Sequence, residues 1–220
     1  MRSALRIALA VALMLMAQQM LLGSSIITMP TADVAAPGEA NIATYAVNFD
    51  GTIPTGDTAM DVHIAYAGVV KNLEIEANVY DYDNSGFKQD FLVATYKVLN
   101  EGQYRPQVSV GVKNPNGEIL GVNDDPTYFI ALVKTMAAPA PGQPFSPVVR
   151  LHLGLGDNVH RGIFGGLQML VHPKVGLALL HDANDVLIAL TATPIEKGPT
   201  LKAGTLGPNP WFGVHYDLRF

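Results

Sequence analysis

The sequence predicts an all-β chain: a transmembrane antiparallel up-and-down β-barrel of about twelve strands. Three observations carry that expectation. Beyond residue 40 the hydrophobic period is two rather than 3.6. The alternating runs are about 9–11 residues long, the length a tilted strand needs to cross a bilayer, whereas globular strands run to about 5–6. Charged residues make up only 15% of the 220-residue chain, while the hydrophobic share of 49% is ordinary. Charge is what is missing, since the usual charged share is about 25%.

The chain opens with "MRSALRIALAVALMLMAQQMLLGSS". Arg2 and Arg6 form a positive start, Ile7 to Ala17 an apolar stretch, and Gly23, Ser24 and Ser25 a run of small residues. This is the pattern of an export signal, with cleavage after Ala17 or Ser25. The expected organisation is a signal peptide over 1–25, an N-terminal periplasmic segment over 26–39 and a barrel over 40–220. The absence of Cys excludes disulfides, thiolate catalysis and a lipoprotein anchor. A formal net charge of −5 with no basic tract argues against nucleic acid as a partner.

Individual strands justify the period. "NLEIEANVYDY" sets Leu73, Ile75, Ala77 and Val79 against Glu74, Glu76 and Asn78. "QVSVGVKN" sets Val108, Val110 and Val112 against Gln107, Ser109, Gly111 and Lys113. "VVRLHLGLG" sets Val149, Leu151, Leu153 and Leu155 against Arg150, His152, Gly154 and Gly156. Turn signals such as "YDNSG", "NPNGE", "DAND" and "GPNP" separate the runs. The predicted spans are about 40–49, 59–69, 72–81, 89–99, 105–113, 127–136, 147–156, 162–171, 174–182, 185–193, 199–206 and 211–220. "YFIALVKTM" and "LLHDANDVLIAL" carry apolar residues on both parities, which implies a partly apolar lumen or a register shift. The Pro-rich "AAPAPGQP" at 137–144 reads as a long turn.

A closed sheet is the only β-structure that pairs every backbone amide inside hydrocarbon. The apolar parity then faces lipid, because a charge at mid-bilayer costs a few kcal/mol. The inward parity is expected to hold Asp61, His63, Glu74, Glu76, Lys97, Lys113, Arg150, His152, Lys174, Lys202, His215, Asp217 and Arg219. These would form ion pairs across the lumen or line a narrow wet pore. Tyr45, Phe49, Tyr66, Tyr128, Trp211, Phe212 and Tyr216 are candidates for an aromatic girdle. The turn at His172–Pro173 is expected to be periplasmic and "NPNGEILGVNDDP" external.

Two chemistries merit testing against a structural role. Asp61 with His63 and His215 with Asp217 each sit at i, i+2, on one face. If first and last strands adjoin, the four could converge in the lumen, activate water or bind a divalent ion. An ion-pair network is the blander reading and the favoured one. Ser109 lies two strands from His152, too far for a hydrogen-bonded Ser–His pair at about 2.6–3.2 Å. Asn114, Glu118 and the Asn123–Pro126 stretch offer oxygens for Ca²⁺ without an EF-hand spacing, and read as a solvated loop. No cofactor is expected.

The last strand, "WFGVHYDLRF", places Phe212, Val214, Tyr216, Leu218 and Phe220 on one parity. It resembles the C-terminal signal of outer-membrane barrels, which implies recognition by the barrel-assembly machinery and a setting among outer-membrane lipid and lipopolysaccharide. A narrower resemblance rests on "MPTADVAAPGEANIATYAV", "RLHLGLG", "IFGGLQMLVHP" and "LALLHDANDVLIALTATP". These look like hairpins of the YjbH-like barrels, which implies a link to exopolysaccharide-export components. His181-Asp182 stands where that family often carries an acidic–Tyr–Asp step. The function expected from all this is a porin-like or structural barrel. The alternatives are an enzyme built on the Asp/His cluster and a soluble β-sandwich or lipocalin-like binder.

Overall fold

The computed structural model describes residues 25–26, 29–51, 56–115, 125–137, 147–195 and 198–220. Nearly all of the signal-peptide stretch, Glu118 with most of the proposed Ca²⁺ loop, and residues 138–144 of the Pro-rich turn lie outside them.

Twelve antiparallel strands close into one barrel. They are β3 (Glu39–Asn48), β4 (Ala59–Val70), β5 (Leu73–Tyr82), β6 (Lys88–Leu99), β7 (Gln107–Lys113), β8 (Thr127–Ala137), β9 (Val148–Gly156), β10 (Gly162–His172), β11 (Val175–His181), β12 (Val186–Ala192), β13 (Thr200–Leu206) and β14 (Asn209–Arg219). Each strand pairs with its sequence neighbours, and β14 closes on β3 through nine register pairs from Trp211↔Val47 to Arg219↔Glu39. Two short segments, β1 (Ser25–Ile26) and β2 (Met29–Pro30), pair only with each other. The β9–β10 connection contains one 3₁₀ turn, Asn158–His160. We call the end of the barrel holding Glu39 and Arg219 the terminal end and the opposite one the loop end.

Alternation sorts the side chains as the chemistry demands. Leu151, Leu153 and Leu155 of β9 are exposed, while Arg150, His152 and Gly154 between them are buried inside. The same holds for Val110 against Ser109 and Lys113 in β7. The exterior is apolar around β7–β14, with Ile163 63% and Leu179 55% exposed.

The strand β4 runs counter to the expected parity. Met60, Val62, Ile64 and Tyr66 are buried, and Asp61 and His63 stand on the outer face. A bulge is the cause. Val70 pairs with Leu73, but the register then shifts so that Gly68 pairs with Glu74 and Tyr66 with Glu76. One extra residue on one strand exchanges its two faces. Glu74 and Glu76 point inward, so Tyr66 and Ile64 must too. Similar shifts occur at Lys97/Leu99, Thr135/Ala137 and Leu170/His172, all at terminal-end hairpins.

The loop-end half of the interior is packed with apolar and aromatic side chains. Tyr45, Val47, Val62, Phe129, Phe164, Leu187 and Trp211 are at most 5% exposed. Several rings lie over glycines on the paired strand: a Cβ at Gly111 would enter the Phe129 ring, and one at Gly154 the Phe164 ring. Small and large residues thus alternate across the lumen and fill it. Three girdle candidates belong to the barrel interior instead of the rim, since Tyr45, Tyr66 and Trp211 are buried by their register. Tyr128, Phe212 and Tyr216 face outward, 59%, 62% and 43% exposed. Phe49 stacks on Tyr82 at 6.4 Å.

Candidate functional site

The terminal-end half of the interior is polar, and the chain's own N-terminal segment occupies it. Residues 31–37 approach the barrel ahead of β3, and Met29, Thr31, Ala32 and Asp33 are 0–3% exposed. "MPTADVAAP" does not alternate and contains two prolines, so it cannot extend β3 as a ladder strand. It enters over Gly68, where any Cβ would collide with the Ala36 carbonyl. Pro37 and Gly68 form an isolated parallel bridge. Gly38, at φ +86, turns the chain from this segment into β3 beneath the Phe220 carbonyl. Phe220 donates its N–H to the Gly38 carbonyl at 3.0 Å, tying the last residue to that turn.

Four contacts hold the segment. Arg150 of β9 donates through both guanidinium nitrogens to the two Asp33 carboxylate oxygens, each at 2.7 Å. The Ala32 carbonyl accepts from Ser109 Oγ and Gln107 Nε2 of β7, both at 2.6 Å. Ala35 donates its N–H to Glu74 Oε2 of β5 at 2.7 Å. Asp33 caps its own turn by donating N–H to Thr31 Oγ1 at 3.2 Å. A planar guanidinium matches a carboxylate bidentately, and the pair is strong because it is charge-assisted. Both side chains are less than a tenth exposed. Removing either would strand a buried charge. Ser109 is therefore a positioning donor for the segment, and no nucleophile pair forms at it.

A second polar chain runs down β13, β14 and β3. Lys202 Nζ lies 3.1 Å from His215 Nδ1, and His215 Nε2 lies 3.0 Å from Asp217 Oδ1. Asn41 Nδ2 donates to the same carboxylate oxygen of Asp217. The Lys202 ammonium must donate, so His215 Nδ1 accepts and the imidazole carries its proton on Nε2. That fixes a neutral ring between cation and anion. The edge of His215 also meets the Tyr66 ring at 6.3 Å.

The structure separates the proposed four-residue cluster. His215 and Asp217 face inward, while Asp61 and His63 lie outside the barrel wall, where His63 Nδ1 meets Thr44 Oγ1 at 3.2 Å. The bulge in β4 is the physical reason, and Lys202 takes the place expected of Asp61 and His63. Of the other inward candidates, Glu74, Glu76, Lys113, Arg150 and His152 are buried in the interior, and Lys97 and Lys202 are half-buried on the inward parity. Arg219 is an exposed partner of Glu39 at the rim, 3.6 Å away. Lys174 differs from the expectation. It is exposed in the β10–β11 turn, where its ammonium donates to the Pro194 carbonyl at 3.0 Å. A two-residue hairpin places it beyond the wall instead of on its inner face.

Lys113 is the one cation in the apolar half among the described interior residues, with Nζ 4.5 Å above the Phe91 ring. Across from it, His160 of the β9–β10 loop is 1% exposed and its Nε2 finds no partner. Burial first, then the Lys113 charge, push the His160 imidazole down to about 4.

No family model matches the chain, and no curated relative does. Among solved structures it is similar to an outer membrane channel from Pseudomonas putida F1, at 11% identity and a TM-score of 0.37, over 85% of this chain and 97% of that one. A score that low leaves the functional reading to the geometry.

Proposed function

We propose that this chain is an outer-membrane β-barrel that is sealed and serves as a structural element of the envelope. One observation carries the reading: the outer wall of a closed sheet is apolar and its interior is filled. A soluble lipocalin-like binder needs the reverse, a wet exterior around an apolar cup. Here Leu151, Leu153, Leu155, Ile163, Leu167, Leu177, Leu179, Ile188 and Leu190 would all face water. Contiguous apolar surface on that scale marks contact with lipid or another apolar partner. The outward Asp61, Asp81, Lys88 and Asp90 cluster near the loop end of β4–β6, where the headgroup layer would lie.

A resting porin fits less well than a sealed barrel, because Arg150 and Glu74 meet the N-terminal segment and Lys202, His215 and Asp217 meet one another instead of lining a passage. The same filling argues against a standing conduit for polysaccharide, which the YjbH-like resemblance alone suggests. The scattered Asp61 and His63 remove the support for the enzyme reading. The test is behaviour of the processed protein in detergent. Unheated barrel should migrate faster in gels than heated chain and should precipitate when amphiphile is withdrawn. A monodisperse particle in plain buffer would overturn the membrane reading.

A further inference from the structure

We propose that the terminal-end half of the interior is a binding site for an extended acidic peptide, which residues 29–36 occupy as a tethered ligand. The contacts read three groups in a fixed spacing: the carbonyl before an Asp, the Asp carboxylate, and the N–H two residues after it. Gln107 and Ser109 hold the first, Arg150 the second and Glu74 the third. Two of the three belong to the backbone, so every peptide presents them. Only one side chain is selected by charge. The residues flanking it in the resident segment, Ala32, Val34 and Ala35, are small, and Gly68 leaves room for the backbone itself. The ligand class is therefore an extended stretch with one Asp among small residues.

The resident segment does not satisfy everything that faces it. His152 shares the inner face of β9 with Arg150, two residues on, and is 2% exposed. Its Nε2 is engaged by Gln168 Oε1 at 2.8 Å, and its Nδ1 has no partner. An acceptor is thus left unmet beside the guanidinium, where a hydroxyl or amide on another peptide would find it. Such an unmet buried acceptor is unfavourable. A better occupant than the chain's own segment is chemically available. This inference holds for the barrel in detergent as well as in a membrane, and so stands apart from the proposed location.

The chain has no Cys, so a Thr31→Cys substitution in the full-length protein introduces a single thiol, whose sulfur can still accept weakly from the Asp33 N–H. Its labelling by a polar maleimide reads how often the segment leaves. The probe is the synthetic peptide of residues 29–36, compared with its Asp→Asn form. Tethering sets an effective concentration on the millimolar scale, so competition is expected at about 1 mM and above. Labelling should rise saturably, by about tenfold, and the Asn peptide should be about tenfold weaker, as for a charge-assisted contact worth about 1.4 kcal/mol or more. Gly68→Ala should loosen the segment and raise labelling in the absence of peptide. Arg150→Lys keeps the charge but loses the fork, and should weaken the peptide's effect while gel migration stays that of a folded barrel. Peptide-independent labelling in both the Thr31→Cys chain and its Gly68→Ala derivative would overturn the proposal. So would equal potency of the Asn peptide.

Discussion

The two halves of the barrel interior are closed by different means. The loop-end half is closed by its own wall: Tyr45, Phe129, Phe164, Leu187 and Trp211 pack as an apolar core beside the buried Lys113, His160 and Asp182. The terminal-end half is closed by a separate segment, held through one bidentate ion pair and three hydrogen bonds to the wall. A core has no way to open short of unfolding. A docked segment can leave while the sheet remains intact. The two regions meet at Met29, which is fully buried and joins the apolar cluster.

That contrast can be broken by substitution. The largest effect is expected in the core. Phe164→Ala should destabilise the barrel by about 3–5 kcal/mol, the usual cost of emptying an aromatic site. It would be read as a lower temperature for loss of heat-modifiable migration. A negligible shift would mean that this half is wet. Arg150→Met strands Asp33 as a buried charge, a loss of roughly 3–5 kcal/mol if the segment stayed in place. The segment can escape instead, so we expect faster labelling of Thr31→Cys with little change in unfolding temperature. If the unfolding temperature fell as far as it does for Phe164→Ala, the segment would be part of the core.

The pH dependence sharpens the loop-end side. His160 is held to about 4, against an ordinary value near 6.5. An opened loop therefore binds a proton that the closed loop resists, and stability is lost as pH falls from about 6.5 toward 4. Hydrogen exchange of the β9–β10 loop should accelerate over that window, and His160→Phe should flatten the response. The smallest effect belongs to the outer face. Asp61→Asn and His63→Gln should each change stability by no more than about 0.5 kcal/mol and leave Thr31→Cys labelling unchanged. Labelling that responded to either would place them in the interior after all.

The barrel itself was legible in the sequence because period two survives in β5, β7 and β9, where each parity has one chemical character. Twelve strands and their turns followed from that and from strand length. The parity of β4 was not legible. "AMDVHIAYAGVV" alternates on both readings, and only the bulge at Val69 decides between them. Gly68 was the available clue, since an isolated glycine in a strand pattern often marks a bulge or a close backbone approach, and here it marks both. The docked segment was also hidden. Its sequence carries no period, and the sign that something must meet Arg150 and Gln107 lay in an inner face of β7–β9 with no acidic residue. The Lys202–His215–Asp217 chain was half visible: the i, i+2 pair on β14 was plain, but its third member depends on the β13 register. The C-terminal pattern correctly put Phe212, Val214 and Tyr216 outside.

An apolar wall surrounds an interior closed twice over, and conductance in planar bilayers tests this most directly. The wild-type chain and its Gly68→Ala variant should both insert and both lack ion-conducting steps, because freeing the segment leaves the loop-end half shut. Steady open steps from the inserted wild-type barrel would contradict the account.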